Sequence, residues 1–188
     1  MIREMAKSLS CVKDVKFDGC FMAKAELRKN NLIGEITKYE VDIEKMNDKL
    51  SIINSKGYGG DGNLCAELRV YLIHKAYSRK NIIKNQVQEY KNFKYFRIFK
   101  KEEVYDFSKY TDDINSIHLI EKPIVQGLFI MSEIENYLIL KQKHFKNFQI
   151  KFLEPIYSDE EIYMDDLDDI IIGYSGKRLC FKTIINKL

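Results

Sequence analysis

The chain has 188 residues, of which 45% are hydrophobic and 12% aromatic. This composition excludes an intrinsically disordered protein and predicts one globular domain over residues 1–188. The net charge of +3 and the pI of about 8.5 fall short of a dedicated nucleic-acid-binding domain. No apolar run approaches the ~18 residues that cross a bilayer, and the N-terminus lacks a signal-peptide core, so we expect a soluble, cytoplasmic protein without a membrane partner.

The first half of the chain predicts short elements separated by turn residues. Residues 2–9 have the pattern of a short helix. Strands are predicted where apolar and β-branched residues cluster, at residues 15–24, 36–43 and 49–54. Asn63 then suits the N-cap of a helix, whose apolar residues Leu64, Leu68 and Tyr71 recur with a helical period.

The second half predicts strands around one main helix. Residues 93–99 and 114–120 have strand patterns, and Leu128–Met131 reads as a further extended segment. Ser132 and Glu135 form a capping box that opens a helix. A half-buried strand follows, because apolar residues alternate at Phe148, Ile150 and Phe152. With no internal repeat in the sequence, we predict a single α+β domain with a mainly antiparallel sheet and two to four helices.

Gly57, Gly59 and Gly62 match the motif G-x-G-x-x-G and lie between a predicted strand and a predicted helix. In dinucleotide-binding folds this spacing holds a pyrophosphate at a helix N-terminus. Here Asp61 places a carboxylate where phosphate should lie, and no acid-terminated strand follows about 20 residues later. The loop therefore predicts a turn, no cofactor is expected, and a nucleotide-using enzyme rests on this motif alone.

Charge is distributed unevenly along the chain. Residues 1–100 contain 20 basic and 12 acidic side chains, whereas residues 101–188 contain 11 and 16. Between Arg69 and Lys101 there are ten bases and one acid, and between Asp159 and Asp169 seven acids and no base. Such a dipole indicates an encounter with charged partners and no particular chemistry.

The basic stretch mixes cations with aromatic rings, as nucleic-acid-binding surfaces do. A solvated basic face has the same composition. If nucleic acid binds, the candidate residues are Lys84, Lys91, Lys94, Tyr95 and Arg97.

The acidic stretch lacks the central glycine and alternating acids of a calcium loop. Paired carboxylates for acid–base work need burial to separate their pKa values. We therefore interpret the stretch as an exposed surface for a basic protein partner. Its candidate partner-binding residues are Asp159, Glu160, Glu161, Asp165, Asp166, Asp168 and Asp169.

The remaining chemical signals are weak. Four cysteines and three histidines are scattered without zinc-site spacing, so no metal is predicted. The chain contains no G-x-S-x-G, H-E-x-x-H or P-loop motif. We therefore predict no catalytic residues and no enzyme activity.

The run Leu128–Glu133, the charged helix after it and the strand Phe148–Pro155 resemble immunity-protein family eleven of bacterial polymorphic toxins, over about residues 93–156. The resemblance implies a non-enzymatic inhibitor that occludes a cognate toxin or other effector protein. The alternative is a nucleic-acid-binding or mobile-element accessory protein that antagonises a host nuclease defence.

Overall fold

A computed structural model of the protein describes residues 1–12, 17–30, 35–74 and 93–187. Three helices and nine strands lie in these ranges, with short 3₁₀ turns at Leu9–Cys11 and Ser116–His118. In chain order the elements are α1 Ile2–Ser8, β1 Phe21–Lys29, β2 Ile36–Met46, β3 Leu50–Gly59, β4 Leu64–Ile73, β5 Lys94–Ile98, α2 Lys101–Thr111, α3 Gly127–Leu140, β6 Phe145–Phe152, β7 Glu161–Leu167, β8 Ile170–Ser175 and β9 Arg178–Lys187.

All nine strands join one antiparallel sheet in the order β2-β3-β4-β1-β6-β9-β8-β7-β5. Helix α3 supplies much of the core, and eight of its 14 residues are buried. The predicted α+β class is therefore wrong. The fold is mainly sheet. One long sheet wraps around α3, because the apolar face of the sheet is buried against this helix.

Two halves of the sheet share one topology, although the sequence shows no repeat. In each half a helix is followed by four strands, and the first of these pairs with the last: β1-β4-β3-β2 after α1, and β6-β9-β8-β7 after α3. The halves meet where β1 pairs with β6, with Leu27 opposite Phe148 at the centre of the core. Strand β5 extends the second half beyond β7.

The predicted helix after Asn63 is strand β4. Leu64, Leu68 and Tyr71 fit a helical period, but the buried residues of β4 alternate as Ala66, Leu68 and Val70. The glycine motif lies in the β3–β4 hairpin. Gly57 and Gly59 end β3, and the turn contains Gly62 at a φ of +79°. The expected turn is present and the following helix is not.

Two further segments differ from the prediction. Leu128–Met131 is the first turn of α3 and not an extended segment, so Ser132 lies inside the helix and donates to the carbonyl of Phe129. Residues 114–120 contain the Ser116–His118 3₁₀ turn in place of a strand. Both segments are apolar, and apolar runs alone do not separate a buried helix from a strand. The strand predicted at Phe148–Phe152 is confirmed as part of β6.

The core is one cluster built from both halves and all three helices. Its largest aromatic group is Phe107 stacked on Phe129 with centroids 4.8 Å apart, and Phe99 meets Phe129 edge-on at 5.0 Å. None of the helices in the described ranges has the length and apolarity needed to cross a bilayer.

Candidate functional site

A cavity of about 920 Å³ opens beside the first turn of α3. Its walls come from both halves of the sheet: α1, β3 and β4 on one side, and the loop 111–118 with residues 152–157 on the other. Most lining side chains are apolar, and the polar ones belong mainly to loops. A largely apolar cavity with a few converging polar groups is the usual form of a small-molecule site.

The polar loop begins where α2 ends. Asp112 has a left-handed backbone with a φ of 53°, and the N–H of Asp113 donates to the Ser108 carbonyl at 2.9 Å. A left-handed residue after the last helical turn reverses the chain direction, and Asp tolerates that conformation. Asn115 then caps the 3₁₀ turn, with its Oδ1 accepting from the N–H of Ile117. The loop therefore brings Asp113 and His118 together.

Asp113 and His118 form an acid–base pair at the cavity. Nε2 of His118 lies 3.6 Å from Oδ2 of Asp113, and Nδ1 lies 2.6 Å from the carbonyl oxygen of Ile124. Because a carbonyl only accepts, Nδ1 carries the proton, and Nε2 of the neutral ring is an acceptor. His118 is 7% exposed, whereas the Asp113 side chain keeps 34% exposure.

Burial lowers the pKa of His118 below its ordinary 6.5, because an imidazolium loses hydration there. The charge of Asp113 and the carbonyl of Ile124 act in the opposite direction but do not cancel the effect. The ring is therefore neutral at pH 7, and its Nε2 is free to take a proton.

Asn115 fixes the loop against the segment before β1. Its Oδ1 accepts from the N–H of Gly19 at 2.9 Å, and its Nδ2 donates to the carbonyl of Cys20 at 2.9 Å. The N–H of Ser116 also donates to Asp18 at 2.9 Å. Because Asn115 is itself buried, these bonds lack competition from water. The acid–base pair thus has a fixed position relative to the cavity wall.

Helix α3 starts at the same cavity. Gly127 is its first residue, and a Cβ there would lie 2.7 Å from Sδ of Met22 and 2.9 Å from Cε2 of Phe152. Only glycine allows this close approach. Gln126 precedes it and donates from Nε2 to the carbonyl of Val104 at 3.0 Å. Its buried Oε1 has no hydrogen-bond partner within the described residues.

A thiol also lines the cavity. Sγ of Cys20 lies 3.5 Å from Nδ1 of His74, and Nε2 of that ring lies 3.3 Å from Oγ of Ser51. Burial raises the pKa of the Cys20 thiol, and the negative charge of Asp18 acts in the same direction. At neutral pH Cys20 is therefore a protonated thiol and a poor nucleophile. Among the described residues, no three His, Cys, Asp or Glu cluster closely enough to hold a metal ion.

The seven acids proposed from the sequence do not form a loop, and none lines this cavity. Asp159 and Glu160 precede β7; Glu161, Asp165 and Asp166 lie in it; and Asp168 and Asp169 form the turn to β8. Period-two burial of Ile162 and Met164 makes the segment a strand despite its charge.

Most of these acids have partners within the chain. Asp166 accepts from the hydroxyl of Tyr137 at 2.9 Å and from Nζ of Lys143 at 2.8 Å. Glu160 pairs with Arg178 and Lys122, and Lys187 pairs with both acids of the β7–β8 turn. Asp165 is buried, with 6% exposure. The carboxylates therefore mainly tie strands and helix α3 together.

The basic candidates are also dispersed. Lys84 and Lys91 lie outside the described residues. Lys94 and Tyr95 are exposed on edge strand β5. Arg97 bonds to Glu133 and Glu103, and its guanidinium lies 4.4 Å from the centre of the Phe99 ring. The cation of Arg97 is therefore committed to contacts within the chain.

Sequence reasoning missed the acid–base pair. The run from residue 114 to 120 was interpreted as a strand, and its histidine as one of three dispersed ones. One signal was present: Asp113, Asn115 and His118 fall within six residues, just before an apolar helix. Their spacing alone did not predict two contacts that complete the site: the carbonyl of Ile124, which binds His118, and residues 18–20, which bind Asn115 and Ser116.

No protein-family model and no curated protein matches the chain. Solved structures do match. Peroxisomal multifunctional enzyme type 2 from Drosophila melanogaster aligns with a TM-score of 0.69 at 10% identity, over 100% of this chain and only 40% of that one. A MaoC-like dehydratase from Phytophthora capsici aligns at 0.59 with 14% identity, over 90% and 72%. An acyl-ACP thioesterase from Bacteroides thetaiotaomicron aligns at 0.51 with 11% identity, over 88% and 75%.

The chain has the hotdog fold. Its long antiparallel sheet around a helix is the architecture that these dehydratases and thioesterases share. The similar structures are enzymes. The predictions of a non-enzymatic toxin inhibitor, of a cognate toxin as partner and of a nuclease antagonist are therefore wrong. The resemblance to the immunity family itself stays a prediction.

Proposed function

We propose that the protein is an acyl-thioester dehydratase, which removes water from a 3-hydroxyacyl thioester or adds it to the enoyl form. The observation that carries the proposal is the Asp113–His118 pair at the apolar cavity, with Nε2 and Oδ2 3.6 Å apart. Both atoms are acceptors, so one water molecule can donate a hydrogen to each of them, and a substrate hydroxyl can donate its single hydrogen to either.

The chemistry needs a base, a place for negative charge and an intact thioester. In the hydration direction, the oxygen of water bonds to the β-carbon, and one water proton passes to Nε2 of His118 or to Asp113. The group that took this proton then returns it to the α-carbon, directly or by exchange with solvent. Between these steps, negative charge develops on the thioester oxygen. Gly127 begins α3 beside the cavity, and N–H groups of a first helical turn, which lack intrahelical partners, stabilise such charge.

A thioesterase is the second candidate, because proteins of that name share the fold. Two observations favour the dehydratase. The thiol at the cavity, Cys20, has a raised pKa and so is a weak nucleophile. The dehydratase also aligns with the higher TM-score, 0.59 against 0.51. We keep the cytoplasm as the proposed location, since free thiols at all four cysteines suit a reducing compartment.

The test is hydration of trans-2-enoyl thioesters of coenzyme A, followed by the loss of enoyl absorbance. Asp113→Asn and His118→Gln should each lower kcat by about 10²–10⁴, the contribution of a positioned acid or base. Asp106→Asn is the control, because this nearby acid of α2 is exposed and does not line the cavity.

Release of free coenzyme A without hydration would favour the thioesterase. Full activity of the Asp113→Asn variant, with an unchanged melting temperature, would remove the pair from the mechanism.

A further inference from the structure

Exposure along the cavity separates a mouth from an inner end. Ile114 and Leu153 line the mouth with 82% and 44% exposure. Ala6, Val70 and Ile130 line the inner end with 4%, 1% and 2% exposure. The half-exposed carboxylate of Asp113 belongs to the mouth. A substrate that has its reacting carbons at the Asp113–His118 pair therefore points the tail of its acyl chain towards the inner end.

The two ends also differ in polarity. Several polar lining side chains, among them Asp113, Asn115 and Gln126, belong to the segments between α2 and α3. The inner end is formed by aliphatic side chains of α1, β4 and α3, all part of the hydrophobic core. A polar ligand group would find no hydrogen-bond partner among these residues. The inner end therefore suits hydrocarbon.

The volume of the cavity leaves room for a long hydrocarbon. A cavity of about 150 Å³ holds one benzene ring. The 920 Å³ here is roughly six times larger and is shared between the carrier arm and the acyl chain. A short acyl group would leave most of the apolar wall uncovered.

We propose that the cavity takes a single unbranched acyl chain of at least about twelve carbons, tail inward, with its terminus against Ala6 of α1 and Val70 of β4. The proposal rests on the proposed dehydratase activity for the position of the thioester. In this proposal Ala6 and Val70, and not the Asp113–His118 pair, determine which acyl-chain lengths the cavity accepts. Ala6 is the smallest side chain at the inner end and so is the position at which added bulk shortens the space most directly.

The first experiment measures kcat/KM for enoyl thioesters of coenzyme A with chains from four to sixteen carbons. Each added methylene should raise kcat/KM about fourfold until the wall is covered, because burying one methylene contributes ~0.8 kcal/mol. Ala6→Leu, and independently Val70→Leu, should lower the value for the longest chains more than tenfold while short chains react as with the wild type.

Ala66→Leu is the control for packing. Ala66 is 1% exposed in the same core but does not line the cavity, so a larger side chain there has no space to enter. It should lower the melting temperature by several degrees, whereas Ala6→Leu should leave it at or above the wild-type value. If Ala6→Leu does not fold, Val70→Leu carries the same test from strand β4.

A binding measurement separates the two proposals. Saturated fatty acids of eight to sixteen carbons are added to the wild type and to Asp113→Asn, and the melting temperature is followed. A length-dependent rise in both proteins without any enoyl hydration would overturn the dehydratase and keep the acyl cavity. Hydration with equal kcat/KM for all lengths, or long-chain binding unaffected by both inner-end variants, would overturn the acyl cavity and leave the dehydratase.

Discussion

The two halves of the sheet share a strand topology but place different groups at the cavity. In the second half, α3 has 14 residues, begins at the polar loop and is preceded by Asp113 and His118. In the first half, α1 has seven residues and contributes Ala6 to the aliphatic inner end, beside Val70 of β4 and Ile130 of α3. One scaffold used twice can therefore place the acid–base pair in one half and build the apolar end from both.

The halves are joined in two places. Strands β1 and β6 pair across the middle of the sheet, and α1 packs on α3. Glu135 of α3 links all of these parts: its carboxylate accepts from the N–H of Ile2 at 3.0 Å and pairs with Nζ of Lys29 on β1 at 3.1 Å. The position of the inner wall relative to the acid–base pair depends on this buried carboxylate.

The largest effect on stability is expected when this link is removed. Glu135 is 3% exposed, whereas the Lys29 side chain keeps 25% exposure, so Glu135→Gln removes the buried carboxylate and leaves a partly hydrated ammonium. We expect a loss of about 2–3 kcal/mol in the free energy of unfolding, near the upper range for hydrogen bonds to a charged group. Denaturant unfolding measures it. Glu40→Gln, which breaks an exposed pair with Lys38, is the control and should leave the unfolding curve in place. Equal curves for both variants would mean that α1 is held by its apolar contacts alone.

The next largest effect is expected when a side chain is added at Gly127, the first residue of α3. In Gly127→Ala the new Cβ meets Met22 and Phe152 at less than 3 Å, so one wall of the cavity must shift. We expect a loss of about 1–3 kcal/mol in stability from overpacking and a fall in kcat, since the first helical turn moves. Gly60→Ala is the matched control, because nothing lies within 4 Å of its Cβ. Unchanged turnover in Gly127→Ala would exclude the α3 terminus from the reaction.

The comparison of the halves also shows where the sequence was informative. Strand β6 was predicted because Phe148, Ile150 and Phe152 alternate with polar residues, a pattern that only a half-buried strand produces. Strand β4 was predicted as a helix because Leu64, Leu68 and Tyr71 recur with a helical period, whereas the buried face of the strand is formed by Ala66, Leu68 and Val70. The segment forms a strand because it pairs with β1 and β3, whose residues lie up to about 50 positions away in the sequence.

The site was hidden for a similar reason. The acid, the amide and the imidazole of the loop are near in sequence, but each depends on a distant contact. Asn115 binds residues 19 and 20, which lie 95 residues or more away. Polar residues gain a role from such contacts, and one chain without its fold shows the residue types and not their geometry. The repeated topology is equally invisible, because the halves share strand order and not side chains.

The acids of the second half provide a smaller test. Asp166 is bound by Tyr137 and Lys143, which attach β7 to the end of α3, whereas Asp169 is an exposed turn residue. Asp166→Asn should lower the free energy of unfolding by about 1–2 kcal/mol, the range for a hydrogen bond to a charged group. Asp169→Asn should leave thermal unfolding almost unchanged. Equal effects would mean that the acids act through their summed charge and not through individual contacts.

The smallest expected effect is the pH dependence of stability that His118 contributes. Its pKa is lowered in the folded protein, first by burial, whereas the unfolded chain has the ordinary value of about 6.5. Below that pH the unfolded chain binds more protons than the folded one, so this contribution lowers the free energy of unfolding as the pH falls through 6.5. Melting temperatures from about pH 7.5 to pH 5 should therefore fall more steeply for the wild type than for His118→Gln. Parallel curves would mean that the pKa of the ring is the same in the folded and the unfolded chain, so that burial does not keep Nε2 unprotonated.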